Sequence, residues 1–300
     1  MKAFENSSEQ SKIVYLFIFC FAGLFLATTL VSLINELMLE GQFMESAWGV
    51  RISSAVQMLL MFFMPAITLL IWSNKKPMEF LGVKKLDDGI VLSLLAFLIL
   101  LVSMPFISLL TQLNKLLRLP EFLGSLEIMM RALEDSAEKT TLLLLSGKSM
   151  LDYMGNILFV GVFAAVAEEF FFRGVLQQLL VKLFKSKNAG VWLTALIFSA
   201  MHLQFYGFLP RLILGLLLGY LFVWSKNIWL PILIHFLNNA LVITFNFFFK
   251  ESAFYQSLED PSITLNFIIF GLLSLTLTIF LLWMFKNKTS KMTKTVDTQF

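Results

Sequence analysis

Two carboxylates and a guanidinium stand together in "AEEFFFRG", as Glu168, Glu169 and Arg173, inside an apolar run long enough to cross a membrane. An ionisable group near the bilayer centre costs several kcal/mol, so it persists only with a partner or a task. The chain has two histidines, His202 in "FSAMH" and His235 in "HFLNN", and both fall in apolar runs, with Asn239 four residues after the second. Glu169 and Arg173 are four apart, so they share a helical face and can pair, for packing or for catalysis. Glu168 is rotated by about 100° from that face and has no cation of its own helix beside it. Held away from water, it suits a general base. His235 and Asn239 share one face and offer the N–H groups that stabilise an oxyanion. Phe198 and His202 repeat the four-residue spacing, so the ring can wall the site or hold the imidazole. Together these groups describe a hydrolytic site. Glu168 activates water for attack on a peptide carbonyl, and His235 and Asn239 hold the developing charge. His202 orients the water or donates to the leaving amine. Ser199 lies near His202, but no motif marks it as a nucleophile. Glu168, His202 and His235 are also residues that ligate zinc. HExxH is absent, however, and the same set works without metal, so no cofactor is expected.

One layer of the membrane can hold all of these groups. At about 1.5 Å per residue, Glu168 lies roughly 21 Å from Lys182 and Asn239 roughly 20 Å from Lys226. On the same arithmetic His235 comes out near ~14 Å, and His202 near ~20 Å if its run begins at Ala189.

The elements that must position them are membrane helices. Of the 300 residues 58% are hydrophobic and 14% charged, against about 25% charged in a soluble domain. A net charge of +3 is too small to suggest nucleic-acid binding. Crossing needs about 20 apolar residues. Runs of that kind fall at 13–35, 50–73, 89–112, 152–182, 189–206, 209–225, 228–249 and 263–285, the fifth and sixth being short and split only by a turn near Gly207 and Pro210. The first run is too long for a cleaved signal peptide and reads as an anchor. Lys75, Lys76, Lys84, Lys85, Lys182, Lys185, Lys187, Lys226, Lys286, Lys288, Lys291 and Lys294 fall in alternate loops and the tail. The other loops carry Glu36, Glu40, Glu45, Glu251, Glu259 and Asp260. By the positive-inside rule both termini are then cytoplasmic. Arg51 and Arg211 lie near span ends, where snorkelling explains them. Between the third and fourth runs, Leu123, Leu126, Met129, Met130 and Leu133 recur at helical spacing opposite Glu127, Arg131, Glu134 and Asp135. That pattern predicts an interfacial amphipathic helix on the outer face, serving as connector or lid. The expected fold is all-α, a polytopic bundle of about eight transmembrane helices plus this interfacial one. Residues 1–150 supply three spans and the connector, 151–250 the catalytic core, and 251–300 the last span and a basic tail. The single cysteine, Cys20, excludes an intrachain disulfide and reads as packing.

Three motifs, in order, carry a family resemblance. "EEFFFRG" resembles the EExxxR motif of the CPBP intramembrane proteases, which include type II CAAX prenyl endopeptidases and bacterial Abi-type proteins. "FSAMH" matches that family's FxxxH motif and "HFLNN" its HxxxN motif, over roughly 150–250. The resemblance implies a helical membrane fold with a cavity toward the cytoplasm. It implies a glutamate-dependent endopeptidase in which Glu168 activates water, Glu169 and Arg173 support it, and His202, His235 and Asn239 complete the site. It further implies a multi-pass protein of a bacterial plasma membrane acting on a membrane-associated protein or peptide, prenylated CAAX-type proteins being one such class. A different class of reading is a non-catalytic scaffold, an immunity or regulatory protein of the same fold. A proton-coupled transporter would predict internal repeats, and none is visible.

Overall fold

Apolar runs of this length fold as helices because a bilayer offers no other partner for backbone N–H and C=O groups. The computed structural model describes residues 7–38, 42–73, 76–83, 88–253, 255 and 261–297. Lys75, Lys84, Lys85, Glu40, Glu259 and Asp260 lie outside the described residues, as does the side chain of Lys294. Among the described residues there are helices and turns and no strand.

The principal helices are α1 (Glu9–Met38), α2 (Ala47–Trp72) and α3 (Gly89–Lys115), α4 (Gly124–Leu144), α5 (Met150–Phe184), α6 (Lys187–Ala200), α7 (Phe208–Ser225), α8 (Trp229–Phe249) and α9 (Leu265–Asp297). Among the described residues seven runs, all but α4 and α6, are long and apolar enough to cross a membrane. The protein is a polytopic, all-helical membrane bundle.

The run expected at 189–206 is the exception. It forms only the 14 residues of α6, about 21 Å of helix against a hydrocarbon core of about 30 Å. It stops because the chain turns at Met201 and His202, and Leu203 takes a positive φ of 54°. Even so, α6 runs antiparallel to both neighbours: Gly190 abuts Val181 of α5, while Ala195 abuts Gly215 of α7. The turn that follows is covered by α4. Tyr206 N–H donates to Glu134 at 3.1 Å, and the Arg131 guanidinium lies 4.7 Å from the Tyr206 ring centroid.

The expected amphipathic helix is therefore present as α4, with its faces assigned. Glu127 accepts from Arg131 at 2.6 Å and from Leu119 N–H at 2.9 Å. Ile128, Met129 and Leu126 stand exposed, the apolar side of an amphipathic helix.

Arg51 corrects a sequence expectation. It does not snorkel; it is fully buried. Its guanidinium donates to Asn156 Oδ1 at 2.8 Å, Asp152 Oδ1 at 2.6 Å and the Leu144 carbonyl at 3.0 Å. These contacts tie α2 to the end of α4 and the start of α5. Arg211 also turns inward, donating to the Gln204 carbonyl at 3.2 Å and to its side chain. Arg51→Met should orphan a buried carbonyl and a buried amide oxygen, each worth about 1–3 kcal/mol. Thermal unfolding in bicelles should register the loss, and an unchanged midpoint would refute the clamp.

Packing is led by phenylalanine. Phe171 and Phe172 of α5 are fully buried and meet Phe62 of α2 at ring-centroid distances of 5.2 and 5.5 Å. Phe172 then meets Phe198 of α6 edge-on at 5.1 Å. The three phenylalanines of "EEFFFRG" are thus core, and they join α2 to the polar groups on α6 and α8. Cys20 is buried in the same cluster.

Candidate active site

The acidic pair sits in an unusual piece of helix. Within α5, the six α-helical residues Ala164–Glu169 lie between two π-helical segments, Ile157–Phe163 and Phe170–Leu176. Such π segments are rare and recur at functional sites. Wider winding displaces backbone groups from the usual ladder, and polar side chains can take them up. Here the Val160 carbonyl, in the first π segment, accepts from Asn239 Nδ2 at 3.1 Å.

Glu169, Arg173 and His235 form one hydrogen-bonded unit. Arg173 Nη1 donates to Glu169 Oε1 at 2.6 Å, and both side chains are wholly buried. The other guanidinium arm, Nη2, donates to the Gly215 carbonyl of α7 at 3.1 Å. The cation lies 4.8 Å from the Phe198 ring centroid. Glu169 Oε1 also binds His235 Nδ1, at 2.8 Å. An arginine-paired carboxylate only accepts, so Nδ1 carries the proton and Nε2 faces the other way. There it finds Glu168 Oε2 at 3.9 Å, beyond hydrogen-bond reach.

Glu168 stands apart from that unit. It is 5% exposed, and its Oε2 is a buried oxygen with no hydrogen-bond partner. Glu169 Oε2 and Arg173 Nε share this condition. A buried polar atom without a partner costs about 1–3 kcal/mol and calls for an explanation.

His202 approaches from the turn that ends α6. Its Nδ1 lies 2.8 Å from the Phe198 carbonyl, which only accepts, so again Nδ1 is protonated and Nε2 is free. The Phe198 ring stands between the imidazoles, with centroids 5.0 Å from His202 and 6.2 Å from His235. Asn239, one turn along α8 from His235, is half-buried. Its amide is bonded to Val160 and to Asn238 rather than to the acidic pair. Ser199, fully buried, donates to the Phe208 carbonyl at 2.6 Å. That bond fixes the α6–α7 turn. Among the described residues no three His, Cys, Asp or Glu side chains converge as a metal set would. Glu168, His202 and His235 are not gathered into such a set.

Three supporting residues were missed in the sequence. Gly215 and Gly219, four apart in "GLLLG", let α7 approach α5 and α6 closely, the small-residue spacing of membrane helix pairs. Their carbonyls receive Arg173 and Gln177 of α5, each at 3.1 Å. The repeat of four in Glu169, Arg173 and Gln177 against four in Gly215 and Gly219 was the available signal. A Cβ at Gly215 would lie 3.1 Å from the Ala195 Cβ and 3.3 Å from the Phe198 ring. Gly215→Val should therefore cost about 1–3 kcal/mol by overpacking and displace the Arg173 acceptor. Unfolding and cleavage assays should both report it, and a fully stable, active variant would show that the close approach is dispensable.

Fold and site together define a class: a multi-pass membrane protein with buried carboxylates, imidazoles and an arginine between its helices. Residues 151–241 match the family described as Type II CAAX prenyl endopeptidase Rce1-like. That segment, which contains every site residue named above, is thus similar to the Rce1-like family, a family of proteases. The chain is also 32% identical over 90 residues to the uncharacterized protein YpbD of Bacillus subtilis (strain 168), covering 29% of this chain and 43% of that protein. It thus spans less than half the length of the curated relative it matches. No solved structure matches the chain.

Proposed function

We propose that the protein is an intramembrane endopeptidase that hydrolyses a peptide bond of a membrane-associated protein, with a CAAX-type prenylated protein as the first substrate to try. The observation that carries this reading is the unpartnered, buried Glu168 Oε2 next to an imidazole whose orientation Glu169 dictates. Glu168 takes a proton from water as the oxygen attacks the carbonyl carbon. The tetrahedral oxyanion is held by Asn239 through its remaining N–H, and by His235 Nε2 when that ring carries a second proton, whose charge the two glutamates balance. As the C–N bond breaks, the proton held by Glu168 passes to the leaving amine. His202 Nε2, free to accept, orients the attacking water. Glu169 and Arg173 position His235, and Phe198 keeps the imidazoles apart. The setting we propose is a bacterial plasma membrane, with both termini in the cytoplasm.

The test is cleavage of prenylated and unprenylated CAAX peptides, and of a membrane proteome, by the purified full chain in detergent with and without chelator. New peptide termini that survive chelation are the expected result. No cleavage of any substrate, by a protein whose fold is intact by circular dichroism, would sink the reading in favour of a binding scaffold.

A further inference from the structure

We propose that the cavity among α5, α6 and α7, at the lysine-bearing end of the bundle, binds the headgroup of an anionic glycerophospholipid. The cavity has a volume of about 540 Å³, and Lys182, Lys187 and Lys226 line it from three different elements. Among the described residues neither Lys187 nor Lys226 takes part in an ion pair, and Lys182 Nζ lies 5.0 Å from the Phe80 ring centroid. A preference for lysine at this end of the bundle explains its presence. It does not explain three lysines converging on one hollow.

The walls are built rather than loose. Lys226 closes α7 in the left-handed region at φ 52°, a position glycine fills at less cost. Strained outliers of this kind gather at functional sites. Gly82, at φ 65°, packs on the Lys226 carbonyl, where a Cβ would clash. Gln178 Nε2 donates to the Phe80 carbonyl at 3.0 Å and to the Gly174 carbonyl at 2.8 Å, holding the outer wall to α5.

The chemistry of the lining names the ligand class. Phe80, Phe222 and Val223 give an apolar floor beneath the lysines, and Glu79, the carboxylate that also lines the cavity, is paired with Lys76 at 3.0 Å. A phosphate ester satisfies the lysines, and a lipid's glyceryl and acyl portion satisfies the floor. Gln177, 1% exposed, lines the same cavity. Its Nε2 is bonded to Gly219, while its Oε1 is buried without a partner. That acceptor suits a ligand hydroxyl. Phosphatidylglycerol combines phosphate, hydroxyls and acyl chains, and is the probe.

The experiment places the full chain in phosphatidylcholine nanodiscs with or without phosphatidylglycerol, and counts retained lipid by native mass spectrometry. The wild type should retain one phosphatidylglycerol and melt higher in its presence. Lys187→Gln with Lys226→Gln should weaken retention about tenfold or more. A charge-matched control, Lys185→Gln with Lys286→Gln, should leave it unchanged. Val223→Trp, which fills the floor, should abolish retention with every lysine in place. Melting in pure phosphatidylcholine should be the same for all variants, which separates misfolding from lost binding. Equal loss in both lysine doubles, or retention by Val223→Trp, would overturn the site. Displacement of the lipid by glycerol 3-phosphate or inorganic phosphate alone would overturn the lipid assignment in favour of a soluble phosphoester.

Discussion

Glu168→Gln should reduce peptide cleavage by about 10²- to 10⁴-fold, the usual worth of a positioned general base, while leaving the melting temperature unchanged or slightly raised. The substitution is isosteric and removes a buried oxygen that has no hydrogen-bond partner. Little native contact is lost with it. Glu169→Gln should behave differently. That change weakens the bond to Arg173 at 2.6 Å and the bond to His235 at 2.8 Å, so stability and rate should fall together. The contrast between neighbouring glutamates is the informative readout. Equal cleavage by wild type and Glu168→Gln would remove Glu168 as the base.

Arg173→Met should be the most destabilising single change at the site. It strands the fully buried Glu169 carboxylate, and breaking one half of a buried pair costs about 3–5 kcal/mol. It also empties the space above the Phe198 ring, where the guanidinium lies 4.8 Å from the centroid. Pairing it with Glu169→Gln should restore most of the stability, because the uncompensated charge is gone. Cleavage should stay low in the double variant, since His235 loses the carboxylate that orients it. Unfolding in bicelles and peptide cleavage on the same preparations separate these outcomes. A stable Arg173→Met would show that Glu169 does not depend on its partner, and rescue of activity by the double variant would show that His235 needs no carboxylate.

Much of the site was legible because the membrane makes polar residues conspicuous. Glu168, Glu169, Arg173, His202 and His235 stand out against apolar neighbours, and four-residue spacing correctly paired Glu169 with Arg173. Spacing along one helix could not show that Glu169 is shared, with His235 reaching the same oxygen from α8. Nor could it show that the Asn239 amide is drawn to Val160, whose carbonyl lies in a π-helical segment. Hydropathy made Arg51 look like a snorkelling residue, because the Asp152 and Asn156 that receive it are about a hundred positions away.

The class of the molecule and the polar residues that stand inside its apolar runs were determined by the sequence alone, since twenty apolar residues in a row, and charges among them, carry their meaning locally. Which nitrogen of each imidazole is free, which glutamate is left without a hydrogen bond, and how α6 ends short beneath α4 were decided only by tertiary structure. These properties depend on groups from α5, α6, α7 and α8 meeting within a few ångströms, and the distance between two helices is set by the side chains packed between them, here the glycines of α7 and the phenylalanines of α5.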